Sequence, residues 1–134
     1  MTAPSFVVAL VIMDQYVLAV SRRGRPDDLG LPGGSIEGEE TPFDALVREV
    51  KEETNLDVHT AHHAFSRVDK TTAGKVAWAY VVTEWSGEPK QMEDGISVQW
   101  VVPERLLEDN CTFQEYNRQF FEAIGIDVSG ARHE

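Results

Sequence analysis

The chain has 134 residues, with 12 Lys and Arg against 23 Asp and Glu, and a formal net charge of −11. That balance argues against nucleic acid or an anionic membrane as a partner, because both are held by clustered basic residues. The length fits one domain over residues 1–134, large enough to bury a core without covalent staples. The single cysteine, Cys111, excludes an intrachain disulfide framework and fits a reducing, cytoplasmic setting.

Residues 5–13 (SFVVALVIM) are apolar and β-branched and predict a buried strand. The run is too short to cross a bilayer, and it lacks the basic flank and cleavage site of a secretory leader. Asp14-Gln15 predicts a turn into a second strand, Tyr16–Ser21. Arg22–Asp28 reads as a polar loop, punctuated by Gly24 and Pro26. Leu29–Ile36 is Gly-rich, and Pro32 limits it to a short or edge strand.

Thr41–Thr54 is the clearest helix. Thr41 is placed to cap it, Pro42 to occupy its first position and Asp44 to sit in its first turn. Phe43, Leu46, Val47 and Val50 form one apolar stripe, and Asn55 follows where a left-handed residue ends a helix. Asp57–Lys70 and Lys75–Trp85 read as strands joined by a turn at Thr71–Gly74. Ser86–Gly95 is a loop, and Ile96–Val102 alternates as a half-buried strand does. Pro103–Asp109 suggests a short helical turn. Thr112–Ile124 suggests a second helix with Phe113, Tyr116, Phe120 and Ile124 on its core face, and the tail after Asp127 reads as frayed. This order predicts an α/β fold, a mixed sheet with helices packed on it.

The chemistry concentrates on the first helix. Glu49, Glu52 and Glu53 share one flank, whose centre is about 115° from that of the apolar stripe. Like charges at i,i+3 and i,i+4 repel, and they sit near the helix C-terminus, where the dipole disfavours anions. A hard divalent cation relieves both conflicts, since Mg²⁺ takes oxygen ligands and shares them with substrate phosphate. Gly33-Gly34 would let backbone oxygens approach the same place. The spacing alone also describes an ordinary solvated acidic face.

The longer pattern is more specific. Gly34, Glu40, Arg48, Glu49, Val50, Glu52, Glu53 and Leu56 fall on the Nudix box, G-x5-E-x7-R-E-U-x-E-E-x-G-U with U apolar. Eight of its nine defined positions match over 23 residues, and only the last glycine departs, being Asn55. The chain thus resembles the Nudix hydrolase superfamily, and the approach Leu31-Pro32-Gly33 is similar to the family's as well. The resemblance implies an α/β/α sandwich across nearly the whole chain. It implies hydrolysis of a nucleoside diphosphate linked to another moiety, by attack of water on phosphorus. The substrate would be a nucleotide-type small molecule such as a nucleoside triphosphate or nucleotide sugar.

By the same carry-over, Glu49, Glu52 and Glu53 with the Gly34 carbonyl would hold Mg²⁺ or Mn²⁺. Arg48 and Glu40 would support the glutamates. The base that activates water would be one of the three glutamates or an acidic residue of a later loop, where Glu93 and Asp94 are the candidates. Arg22, Arg23 and Arg25 lie beside the Gly-rich approach, and Arg22 and Arg23 are the candidates for contacting substrate phosphates. His59, His62 and His63 do not converge as a zinc site requires. Trp78, Tyr80, Trp85 and Trp100 serve either as sheet surface or as rings for a base, and the aromatic face of the second helix reads as core. The same fold also serves non-catalytic modules that sense a nucleotide or bind a partner, but retention of every box glutamate favours an enzyme. A homodimer is compatible with the sequence.

Overall fold

The computed structural model of the protein describes residues 3–69 and 75–128. β1 (Phe6–Met13) and β2 (Tyr16–Arg22) form the expected hairpin. Asp14 closes it with a φ of +57°, a left-handed conformation that aspartate tolerates better than bulkier residues. β5 (Asp57–Asp69) and β6 (Lys75–Ser86) pair antiparallel. The turn expected at residues 71–74 lies outside the described residues. β6 runs parallel to β1, from Phe6 opposite Ala77 to Val11 opposite Val82, so the sheet is mixed.

The Gly-rich approach departs from the expected layout. Arg25–Asp28, read as part of a polar loop, join Leu29-Gly30 in β3 (Arg25–Gly30), which pairs antiparallel with β2. Pro26 is accommodated because β3 ends the sheet and needs no donor on its outer side. Asp28 is buried because the Thr112 N–H and hydroxyl bond its two carboxylate oxygens, at 2.8 and 2.6 Å. After Leu31-Pro32 comes a separate strand, β4 (Gly33–Ser35), paired antiparallel with β1. β7 is shorter than Ile96–Val102: it covers Val98–Val101 and pairs with β2. Ser97 instead donates its N–H to the Ser21 hydroxyl at 2.9 Å, and Ile96 bridges to Glu93.

Among the described residues these seven strands form one sheet along the path β3-β2-β1-β6-β5, with β4 added to β1 and β7 to β2. α1 (Pro42–Thr54) covers one face, where Ala45, Leu46 and Val50 pack with Val7, Ala9, Val11, Leu18 and Val82. α2 (Gln114–Ala123) covers the other, where Tyr116, Phe120 and Phe121 pack with Leu10, Ala77 and Ala79. The period-2 alternation of β1 thus feeds two cores from one strand. The result is the expected α/β/α sandwich.

Smaller departures have local causes. Phe43, expected in the α1 stripe, is 37% exposed, and Ala45 is the first-turn residue that enters the core. The expected helical turn is a 3₁₀ turn at Pro103–Leu107. α2 begins two residues late because Thr112 is engaged by Asp28. Val128, placed in the frayed tail, is buried against the α2-side core; the tail beyond it lies outside the described residues. No helix among the described residues is long and apolar enough to cross a membrane.

Candidate active site

α1 is fixed at both ends by its own sequence. The Thr41 hydroxyl accepts the Asp44 N–H at 3.0 Å while the Asp44 carboxylate accepts the Thr41 N–H, a reciprocal cap that Pro42 extends. Asn55 ends the helix with a φ of +73°, and its amide donates to the Glu88 carbonyl. Asparagine therefore does at the box's last glycine position what glycine would do there. With its ends set, the helix presents its last two turns to β4.

Arg48 organises the carboxylates on that flank. Its guanidinium grips Glu40 with two bonds, of 2.6 and 2.9 Å, and also donates to the Ser35 carbonyl. Its remaining nitrogen lies 3.1 Å from Glu49 and 3.3 Å from Glu52. Glu40 responds as a gripped carboxylate should: Arg48's hydrogen bonds and the Glu37 N–H hold it down at about 2. The Arg48 guanidinium is in turn held further toward its charged form, chiefly by Glu40. The fork needs a planar bidentate donor, which lysine cannot supply.

Glu49 and Glu53 turn away from solvent toward β4. Glu53 accepts the Gly33 N–H at 2.8 Å. A Cβ at Gly34 would fall 2.3 Å from the Glu49 carboxyl carbon, so the absence of a side chain there is what lets that carboxylate lie against the strand. Burial pushes Glu53 up to about 7, opposed by the Gly33 N–H and reinforced by the charges of Glu49, Glu93 and Glu52. Glu49 is also raised by burial, with Arg48 opposing.

Among the described residues no three His, Cys, Asp or Glu side chains are gathered closely enough to hold a metal ion as they stand. Arg48 engages Glu49 and Glu52, and the Gly33 N–H engages Glu53. The donor set still fits a hard divalent cation. It is all oxygen, its crowded negative charge adds to the burial that raises Glu53, and the Gly34 cradle brings backbone within reach of Glu49.

The two loop arginines part company. Arg22 places its guanidinium 5.7 Å from the centre of the Phe113 ring, with Asp28 at 3.9 Å. Arg23 pairs with Glu93 at 2.8 Å and also donates to the Asp94 carbonyl. The charge of Glu93 also acts on Glu53, adding to the rise that burial causes there.

A pocket of about 220 Å³ opens on the other side of β4. Phe6, Val8, Leu31, Phe113, Tyr116 and Asn117 line it, and the Gly33-Gly34 backbone forms part of its wall. The glycine pair therefore separates an apolar slot from the carboxylates of α1. Asn117 is 2% exposed, and its amide nitrogen has no hydrogen-bond partner among the described residues. Reading the α2 face as core missed Phe113 and Asn117. The signal was a polar residue inside an apolar stripe, four residues after Phe113. The tryptophans do not line this pocket: Trp78 stacks on His63 at 4.1 Å, and Trp85 packs near Trp100. His59 is bonded to the Ser86 hydroxyl, away from His63.

Similarity to known proteins agrees with this layout. A curated MutT-like protein from Streptomyces ambofaciens is 29% identical over 102 residues, 76% of this chain and 66% of its own. An ADP-ribose pyrophosphatase from Methanocaldococcus jannaschii is 32% identical over 93 residues, 66% of this chain. The match spans only 55% of that relative's length. The crystal structure of a MutT NUDIX hydrolase from Burkholderia pseudomallei superposes with a TM-score of 0.69, covering 89% of this chain and 98% of that one at 23% identity, which establishes a shared fold. The NUDIX domain family model matches residues 1–123, taking in both helices and the whole carboxylate flank, and the chain belongs to that family.

Proposed function

We propose that the protein hydrolyses a nucleoside diphosphate linked to another moiety, such as a nucleoside triphosphate, a nucleotide sugar or ADP-ribose, with Mg²⁺ or Mn²⁺ as cofactor. The observation that carries this is the Gly33-Gly34 strand, with half-buried carboxylates on one side and an aromatic-walled pocket on the other. A nucleotide has the same two halves, a flat apolar base and a polyanion. The ADP-ribose pyrophosphatase relative supports a diphosphate substrate of this kind.

Glu49, Glu52 and Glu53, with the Gly34 carbonyl, would hold the metal. When bound, it supplies charge neutralisation for the diphosphate and lowers the pKa of water. Arg48 holds Glu49 and Glu52 against their mutual repulsion, and Glu40 holds Arg48. Phe6 and Phe113 would sandwich the base, and the Asn117 amide would donate to its edge. Arg22, stacked over Phe113, would meet the first phosphate beyond it. Glu93 is the group outside α1 that would take the proton from the attacking water. The setting is the cytoplasm, consistent with Cys111 being a free, buried thiol.

A product screen over nucleoside triphosphates, nucleotide sugars and dinucleotides, with Mg²⁺ and with Mn²⁺, tests this reading. Turnover of at least one class is expected, and reaction in ¹⁸O water should label one phosphate product. Nucleotide binding without turnover would make the protein a sensing module instead.

A further inference from the structure

We propose that Arg23 is a positioning residue that fastens the 93–97 loop to the end of β2 and aims Glu93, rather than a residue that binds substrate. This deepens the reading above and rests on it. Three sutures tie the loop to the end of β2. The Ser21 N–H donates to the Ser97 carbonyl at 3.0 Å, while the buried Ser21 hydroxyl accepts the Ser97 N–H. The Gly24 N–H donates to the Gly95 carbonyl at 2.9 Å. Between them, the Arg23 guanidinium bridges the Glu93 carboxylate and the Asp94 carbonyl.

The loop is built around that side chain. Gly95 has a φ of +82°, and a Cβ there would come within 3.3 Å of the Arg23 side-chain stem. A glycine at this point satisfies the backbone and leaves room for the arginine at once. Arg23 uses both ends of its fork within the loop, which leaves it poorly placed to grip a phosphate bidentately. Arg22, its neighbour, points to Phe113 instead. An exposed ion pair contributes little to folding, so its purpose here is geometric.

The test is a double-mutant cycle with Arg23→Ala, Glu93→Gln and the combined variant, on any nucleotide that the parent hydrolyses. Arg23→Ala should lower kcat about tenfold with KM unchanged, and should lower it no further once Glu93 is Gln. A rise in KM with kcat preserved would overturn the proposal in favour of a phosphate contact. Equal kcat losses in both backgrounds would overturn it in favour of a general structural role. Hydrogen exchange of Gly24, Ile96 and Ser97, whose N–H groups are bonded within or across the loop, provides a readout independent of activity. Arg23→Ala should speed it several-fold, Arg23→Lys less, and an unchanged rate would overturn the proposal. If the parent hydrolyses no nucleotide, the functional reading has failed, and the exchange data still decide whether Arg23 is the fastening.

Discussion

Glu53 carries a cost that the exposed carboxylates of α1 do not. Burial, aided by neighbouring carboxylates, raises it from 4.5 to about 7. In metal-free protein the native state then keeps a proton between those values that the unfolded chain has already released. Stability therefore falls as pH rises through that window, by on the order of 3 kcal/mol, and stays lower above it. Glu53→Gln retains an acceptor for the Gly33 N–H but cannot ionise. In EDTA its melting temperature should fall less than the parent's across the window, where Glu49 still contributes, and lie above the parent's at about pH 8. A variant less stable than the parent there would show that the ionised carboxylate is a structural partner. The same change should lower kcat at least about 10², as expected for losing a group that holds the metal or its water. The two glycines opposite it separate structure from chemistry. A Cβ at Gly33 would lie 2.2 Å from the Val7 carbonyl, which is backbone and cannot yield, so Gly33→Ala should strongly destabilise the β1–β4 pair. The three atoms nearest a Cβ at Gly34 all belong to the Glu49 carboxyl, the end of a flexible side chain. Gly34→Ala should fold, melt close to the parent, and lose most activity because Glu49 is displaced. Circular dichroism melts beside steady-state kinetics distinguish the two.

α1 and α2 face the same sheet from opposite sides, yet they were not equally readable. Every determinant of α1 is local: a capping box, a proline at the start, an asparagine at the end and glutamates at helical spacing. Its place against β4 followed from the box itself. α2 has no side-chain cap, and its start is set by Asp28, some 84 residues earlier in the chain. Nothing within its own sequence announces that contact. β3 was misread for a related reason, since Pro26 and two aspartates argue for a loop unless one knows that the strand lies at an edge and that Thr112 satisfies Asp28. The pocket was invisible because its walls come from β1, the segment before β4, and α2. The separate fates of Arg22 and Arg23 likewise depend on contacts distant in sequence, Phe113 for one and Glu93 for the other. Asn117 makes the role of α2 testable. Its amide nitrogen is buried without a partner among the described residues, so Asn117→Leu, which keeps the γ-branch and has the adjoining pocket for its extra volume, should leave stability unchanged or raise it by up to about 1 kcal/mol. It should raise KM for a nucleotide about tenfold, because a base edge would lose its donor. An unchanged KM would remove Asn117 from recognition and leave the pocket purely apolar.

For the whole molecule, a net charge of −11 means that any added salt relieves self-repulsion, so stabilisation by a divalent ion is not in itself evidence of a site. The location of the charge supplies the discriminating test. Glu49 and Glu53 are the carboxylates half-buried against β4, where bulk ions screen less well, whereas most of the acidic surface is exposed. NaCl should therefore raise the melting temperature of the parent and of a Glu49→Gln, Glu53→Gln double variant by similar amounts. MgCl₂ at matched ionic strength should raise the parent further and the double variant no further than NaCl does. The excess should grow with the logarithm of Mg²⁺ concentration, reaching about 2.7 kcal/mol at a hundred times the dissociation constant. Activity should follow the same curve: none in EDTA, restored by Mg²⁺, and untouched by NaCl. A parent whose Mg²⁺ shift is matched by NaCl, or one that turns over a nucleotide fully in chelator, would mean that the flank of α1 is only an acidic surface. The repulsion among its glutamates would then be borne by Arg48 alone.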